Sequence, residues 1–171
     1  MKYQVIVADP PWRYGFSKSK NRKVENHYPT MSQRDIEALA VPAADDSVLF
    51  LWATAPKLIE ALSVMRAWDF EYKTNGVWDK EKIGMGYWLR GQHELFLIGT
   101  RGKFSPPEPT HRRSSIIRSP RSRHSEKPNA LQDWIDAAFP AATKLELFAR
   151  TTRPGWSSWG DEVDSDQSAL I

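Results

Sequence analysis

The sequence predicts one α/β domain: a mostly parallel central sheet flanked by helices. Three observations carry this. Short β-branched or apolar runs recur at Tyr3–Ala8, Ser47–Trp52, His93–Thr100 and Thr143–Ala149, each of strand length and bounded by polar or turn residues. Segments with helical periodicity lie between some of them. The connections look too long for hairpins, so crossovers and parallel neighbours are expected. In such sheets ligands bind beyond the carboxyl ends of strands.

Taken in order, Tyr3–Ala8 ends at Asp9, where Pro10 and Pro11 cannot continue a ladder and set a rigid turn. Arg13 to Pro29 mixes charges with little apolar periodicity and reads as a long mobile loop. Ser32 is an N-cap for a helix of two turns that carries Ile36 and Leu39. After Ser47–Trp52, Pro56 suits a first helical turn, and Leu58, Leu62 and Met65 line one face up to Trp68. Phe70–Trp78 is a third strand. Asp79–Gln92, with Gly84, Gly86 and Gly91, reads as a loop. Arg101–Arg113 holds three prolines and reads as another. Part of the loops 13–29 and 101–113 is expected to be disordered. Ser115–Arg118 is a short strand, Pro128–Phe139 a helix with Leu131, Trp134, Ile135 and Ala138 inward, and Trp156–Trp159 a small addition. The domain is expected to span 1–163, with 164–171 a disordered acidic tail.

Composition narrows the function. No cysteine is present, which excludes disulfides and thiolate metal sites. Four histidines without paired spacing predict no metal. No secretory pattern and no membrane-length apolar stretch occur, so a soluble cytoplasmic protein is expected. The net charge is only +3, but residues 101–127 carry eight Lys or Arg against Glu108 and Glu126. Arg112, Arg113, Arg118, Arg121 and Arg123 in that stretch are candidates for phosphate contacts, and a solvated basic loop is the competing reading. Eight tryptophans in a small chain must mostly be core, with a few free to stack on bases.

The strongest chemical signal is Asp9-Pro10-Pro11-Trp12, directly after the first strand. An exocyclic amine on a nucleobase is a poor nucleophile because its lone pair is delocalised. A carboxylate accepting one of its hydrogens favours attack, and a backbone carbonyl can accept the other. Asp9 and the Pro10 carbonyl are such acceptors, held by a ring-fixed backbone. Trp12 offers a flat face for a base. The competing reading is a strand-ending turn with a core tryptophan.

The chain resembles the adenine-N6 methyltransferase family that carries this tetrapeptide and includes the catalytic subunit of the mRNA N6-adenosine methyltransferase. The resemblance runs through His27-Tyr28-Pro29-Thr30-Met31-Ser32, Leu49-Phe50-Leu51-Trp52, Gly86-Tyr87-Trp88-Leu89-Arg90, His93-Glu94-Leu95-Phe96-Leu97-Ile98-Gly99, Glu126-Lys127-Pro128 and Leu145 to Arg150. It implies a Rossmann-like, S-adenosylmethionine-dependent methyltransferase fold and a compact bacterial or phage-type member. It also implies that Tyr28 and Glu94 lie near the substrate base. Cofactor contacts would come late in the chain, from Lys127, Glu146, Phe148, Arg150, Thr152, Arg153, Gly160, Asp161 and Glu162. Lys127, ahead of a helix, would reach the methionine carboxylate. The mRNA enzyme has His and Asn where this chain has Thr152 and Arg153, and Asn-Gln where it has Asp161-Glu162, so an RNA substrate is not inherited. The expected activity is methylation of adenine N6 in nucleic acid, with DNA favoured. The alternatives are adenine N6 in RNA, cytosine N4 in DNA, or a non-catalytic nucleic-acid-binding partner subunit.

Overall fold

A computed structural model of the chain describes residues 1–14, 30–121, 126–160 and 163. Seven strands among these form one sheet: β1 (Tyr3–Ala8), β2 (Ala43–Ala53), β3 (Glu71–Asp79), β4 (His93–Arg101), β5 (Ile116–Arg118), β6 (Lys144–Leu147) and β7 (Trp156–Trp159). Their order is β5-β3-β4-β2-β1-β6-β7. Every adjacent pair is parallel except those made by β4, which runs against both β2 and β3. The mostly parallel expectation holds. The expectation that no hairpin occurs does not: β3 and β4 are antiparallel neighbours joined by residues 80–92, which contain no helix to carry a crossover to a parallel neighbour.

Alternation along β1 and β2 divides the core into two layers. Ile6, Ala8, Leu49, Leu51 and Ala53 face one side, against Ile36 of α1 (Gln33–Glu37) and Ala61, Val64 and Met65 of α2 (Leu58–Ala67). Val5, Val7, Val48, Phe50 and Trp52 face the other, against Leu131 and Ile135 of α3 (Ala130–Ala138).

Several local signals are realised. The Ser32 side chain accepts the Asp35 N–H at 3.2 Å and starts α1. Pro56 sits in a 3₁₀ turn that leads into α2. The buried face of α2 is rotated from expectation: Ala61, Val64, Met65 and Trp68 point inward, Leu62 is partly buried, and Leu58 is exposed. Small Ala61 allows the close helix–sheet approach that Leu58 would prevent. On α3, Leu131 and Ile135 are buried as expected, whereas Trp134 and Ala138 are half-buried and Gln132 is buried. Strand β2 begins four residues early because its polar end is held by backbone pairing, Tyr3 with Ala43. Residues 101–113 depart from the disorder expected of them. The Lys103 N–H donates to Asp46 Oδ1 at 2.6 Å, Phe104 packs on Phe139, and Pro109–His111 forms a 3₁₀ turn. Most of the 13–29 loop and the 164–171 tail lie outside the described residues. No described helix is long and apolar enough to cross a membrane.

Candidate active site

β1 occupies the middle of the sheet, and the chain leaves it toward β2 on one side and later adds β6 on the other. That reversal opens a crevice at the carboxyl ends of the strands. Asp9 emerges there, its N–H donating to Leu147 O at 3.4 Å. It lines two adjoining cavities. The larger, of about 570 Å³, also takes in Trp52, Asn129, Gln132, Glu146, Phe148, Arg150, Thr152 and Arg153. The smaller takes in Pro10, Pro11, Trp12, Tyr14, Thr54 and Glu94. Lys127 and Arg150 border both.

The turn after Asp9 is tight. The Trp12 N–H donates to Pro10 O at 2.8 Å, and the Met31 N–H to Pro11 O at 2.9 Å. The Pro10 carbonyl, expected to be open to a substrate amine, therefore already accepts one hydrogen bond, with its second lone pair remaining. Trp12 is only 6 % exposed, and its Nε1–H donates to Trp52 O at 3.1 Å. It forms a wall of the smaller cavity and belongs to the core as well, which corrects the picture of an open stacking face.

Lys127 is placed differently from the expectation of a methionine-carboxylate contact. Its ammonium lies 2.7 Å from Asp9 Oδ2 and 3.2 Å from Glu94 Oε2, and 5.6 Å from the centre of the Trp52 ring. Glu94 Oε1 in turn accepts from Lys80 at 2.5 Å, and Lys80 stands 5.2 Å from the Trp78 ring centre. Two carboxylates and two ammonium groups thus alternate through a part-buried network. Burial pushes the Asp9 carboxyl above its ordinary value despite the opposing pull of Lys127, and the Glu94 charge adds to the rise. Burial also opposes the charge on Glu94, but Lys127 and Lys80 outweigh it and hold that carboxyl below its ordinary value. Lys127 is desolvated too, yet Asp9 and Glu94 hold it above the usual lysine range, so it stays charged.

The larger cavity joins β6 to the start of α3. Glu146 is pushed above its ordinary value by burial, although it accepts from Gln132 Nε2 at 3.1 Å. Phe148 adopts a left-handed backbone (φ 61°) immediately after β6, a conformation costly for an aromatic residue and common at functional sites. Trp52 and Gln132 line this cavity, and Trp52 Nε1 and Gln132 Oε1 are buried without a hydrogen-bond partner among the described residues. Arg153 borders the cavity, but its fork is committed to α3, at 2.6 Å from Asp133 and 2.9 Å from Asp136. Gly160 is not on the cavity wall. It packs against the backbone that follows β6, where a Cβ would fall 2.2 Å from Ala149 O. Tyr28, Arg123, Asp161 and Glu162 lie outside the described residues.

The basic stretch is split. Arg118 leaves β5 at the catalytic end, beside Asp79, with exposed Arg121 three residues on. Arg112 and Arg113 are exposed before β5, and Arg113 donates to Ala130 O at the start of α3, at 3.0 Å. The sequence reading does not name as site residues Trp52, Asn129 and Gln132 on the larger cavity, Thr54 and Tyr14 on the smaller, or Lys80 in the adjoining ion-pair network. Thr54 was findable by the strand-end rule that selected Asp9. Tyr14 stands two residues past Trp12 and shares a 2.6 Å hydrogen bond with Thr54. Lys80 carried no signal, since it sits among mixed charges in a glycine-containing loop.

An open α/β sheet with a cavity at its switch point and a strand-end carboxylate on the wall has the architecture of a Rossmann-like enzyme. The chain belongs to the MT-A70 family, whose model matches residues 3–162. It is similar to the Type II methyltransferase M.MunI of Mycoplasma sp., 37 % identical over 97 % of this chain and 80 % of that protein. It is also similar to the Drosophila melanogaster N(6)-adenosine-methyltransferase MT-A70-like protein, 29 % identical over 95 % of this chain and 27 % of that one. The human N(6)-adenosine-methyltransferase catalytic subunit METTL3 is 28 % identical over 95 % and 28 %. The chain spans about a quarter of the length of these two eukaryotic relatives.

Proposed function

We propose that this enzyme transfers a methyl group from S-adenosylmethionine to the N6 amine of adenine in DNA. The observation that carries the reading is Asp9 on the shared wall of two cavities, one large enough for a nucleotide cofactor and one bordered by the tetrapeptide. The larger cavity suits a zwitterionic cofactor. Its lining includes two residues with buried, unpartnered polar atoms (Trp52 Nε1 and Gln132 Oε1), the part-buried Glu146 carboxylate and the amino end of α3. Trp52, Asn129, Gln132, Glu146, Phe148, Arg150 and Thr152 would hold it there. DNA is favoured because the relative matched over most of its length is the Type II methyltransferase, whereas those named for adenosine are far longer.

When bound, the cofactor supplies an electrophilic methyl, so that the new N–C bond forms as the C–S bond breaks and its electron pair stays on sulfur. Asp9 accepts a hydrogen bond from N6, directs the nitrogen lone pair toward the larger cavity, and takes the proton that N6 releases. Its raised affinity for protons suits it to that task. Lys127 holds Asp9 in place through Oδ2, and Glu94 holds Lys127. Trp12 and Tyr14 border the space for the base.

The test is to incubate the protein with S-adenosylmethionine and, separately, duplex DNA, single-stranded DNA and RNA, then to analyse digested nucleosides by mass spectrometry. N6-methyladenine should arise from DNA and disappear with Asp9→Ala. Methylcytosine, a signal from RNA alone, or full activity in Asp9→Ala would each reject the reading.

A further inference from the structure

All eight tryptophans lie among the described residues. Trp12, Trp52, Trp68, Trp78 and Trp156 are buried, and Trp134 and Trp159 are half-buried. Trp88 is 99 % exposed, and Tyr87 beside it 98 %. Both sit at the tip of the connection between β3 and β4. This tip has a defined backbone. The Lys80 N–H donates to Gln92 O at 2.9 Å and the Gly84 N–H to Gly91 O at 2.8 Å. A Cβ on Gly86 would fall 1.9 Å from Leu89 O, so only glycine lets the tip close this tightly. Ile83, Met85 and Leu89 are exposed on the same tip. Apolar surface displayed in one place marks a binding surface.

Position and charge select the partner. The hairpin rises from the strand ends that carry Lys80 and Glu94, so it stands at the catalytic end of the sheet. Strand β5 pairs beside it there and brings Arg118 against Asp79. Lys82 and Arg90, both exposed, flank the two rings. Adjacent aromatic faces bracketed by cations match an unstacked strand, which offers base faces and phosphates at alternating positions. An enzyme that draws one base out of the stack leaves its neighbours in need of such faces.

We infer that the 80–92 hairpin is a base-stacking surface, on which Trp88 and Tyr87 take nucleobases next to the target adenine while Lys82 and Arg90 take the flanking phosphates. The inference rests on the nucleic-acid reading above and adds a second contact region outside both cavities.

The test uses the full chain and fluorescence anisotropy of a labelled mixed-sequence oligonucleotide, single-stranded and as a duplex, at fixed low salt. The double variant Tyr87→Ala/Trp88→Ala should lose about tenfold or more in single-strand affinity. Trp88→Phe, which keeps a ring, should retain most of it. Calorimetric titration with S-adenosylmethionine should be unchanged in all variants, showing that the fold and cofactor cavity persist. Wild-type affinity in the double variant overturns the inference. So does a wild-type dimer, seen by sedimentation, that the double variant converts to monomer without loss of affinity, since the tip would then belong to a second copy. Hairpin-dependent binding without any methylation would defeat the catalytic reading alone. Methylation with hairpin-independent binding would defeat this inference alone.

Discussion

In the role proposed for it, Asp9 can take the amine proton only while ionised, and its neighbours set the pH at which that holds. Burial raises its proton affinity, Lys127 opposes the rise, and Glu94 reinforces it. The acid limb of the pH profile of kcat/KM should therefore lie above the ordinary aspartate range of about 3.9. Lys127→Met removes the opposing cation, so the limb should move to higher pH while activity falls. Glu94→Gln removes the reinforcing anion, so the limb should move to lower pH. Profiles measured on wild type and both variants check the pair. Identical limbs in all three would remove Asp9 as the titrating group.

At the scale of elements, Asp136 on α3 gathers three partners from the far side of the larger cavity. It accepts from Trp156 Nε1 of β7 and from Arg153 Nε, each at 2.9 Å, and Lys144 of β6 lies 3.4 Å away. Burial opposes its charge, but Trp156 and Arg153 outweigh that and hold its carboxyl below the ordinary value. These bonds tie the carboxyl-terminal half of α3 to the starts of β6 and β7 and to Arg153 on the cavity wall. Asp136→Ala strands the Trp156 donor and frees Arg153. The cost should be about 1–3 kcal/mol, taken low because the carboxylate is partly exposed. It should appear as a lower thermal midpoint and a weaker calorimetric affinity for S-adenosylmethionine. A variant with wild-type values in both would show that α3 is held by packing alone.

Across the whole molecule, the buried carboxylates pull stability in opposite directions with pH. Glu94 is held low, so its contribution is present above the ordinary glutamate range and is lost as pH falls through its depressed value. Glu146 is held high by burial, so its contribution is present below the ordinary range and is lost as pH rises through its raised value. At neutral pH the charge on Glu146 thus costs stability, as is common at functional sites. Glu146→Gln should raise the thermal midpoint at neutral pH, and the gain should close below about pH 4.3. Its affinity for S-adenosylmethionine should fall. An unchanged or lower midpoint at neutral pH would contradict this account of the site.

How much of this was legible can be judged from particular residues. Strand β1 was read to the residue because Tyr3–Ala8 is short, β-branched and closed by two prolines. The caps and turns at Ser32 and Pro56 were readable for the same local reason. So was the place of Asp9 at a strand end, and of the late residues named from the resemblance, Lys127, Glu146, Phe148, Arg150, Thr152 and Arg153 line the larger cavity. The sequence by itself determined the elements, their α/β class and the family chemistry, because apolar period, turn residues and motif order are local or linear properties. Only the tertiary structure decided that β4 inserts antiparallel and lifts a hairpin beside the site. It also turned Trp12 into the core, tied Arg153 to α3, and set Lys127 between Asp9 and Glu94 rather than toward a methionine carboxylate. Lys127 and Asp9 are 118 residues apart in the chain. Which charges share a low-dielectric space depends on how strands are ordered in the sheet, and pairwise distance across a fold leaves no mark on spacing along the chain.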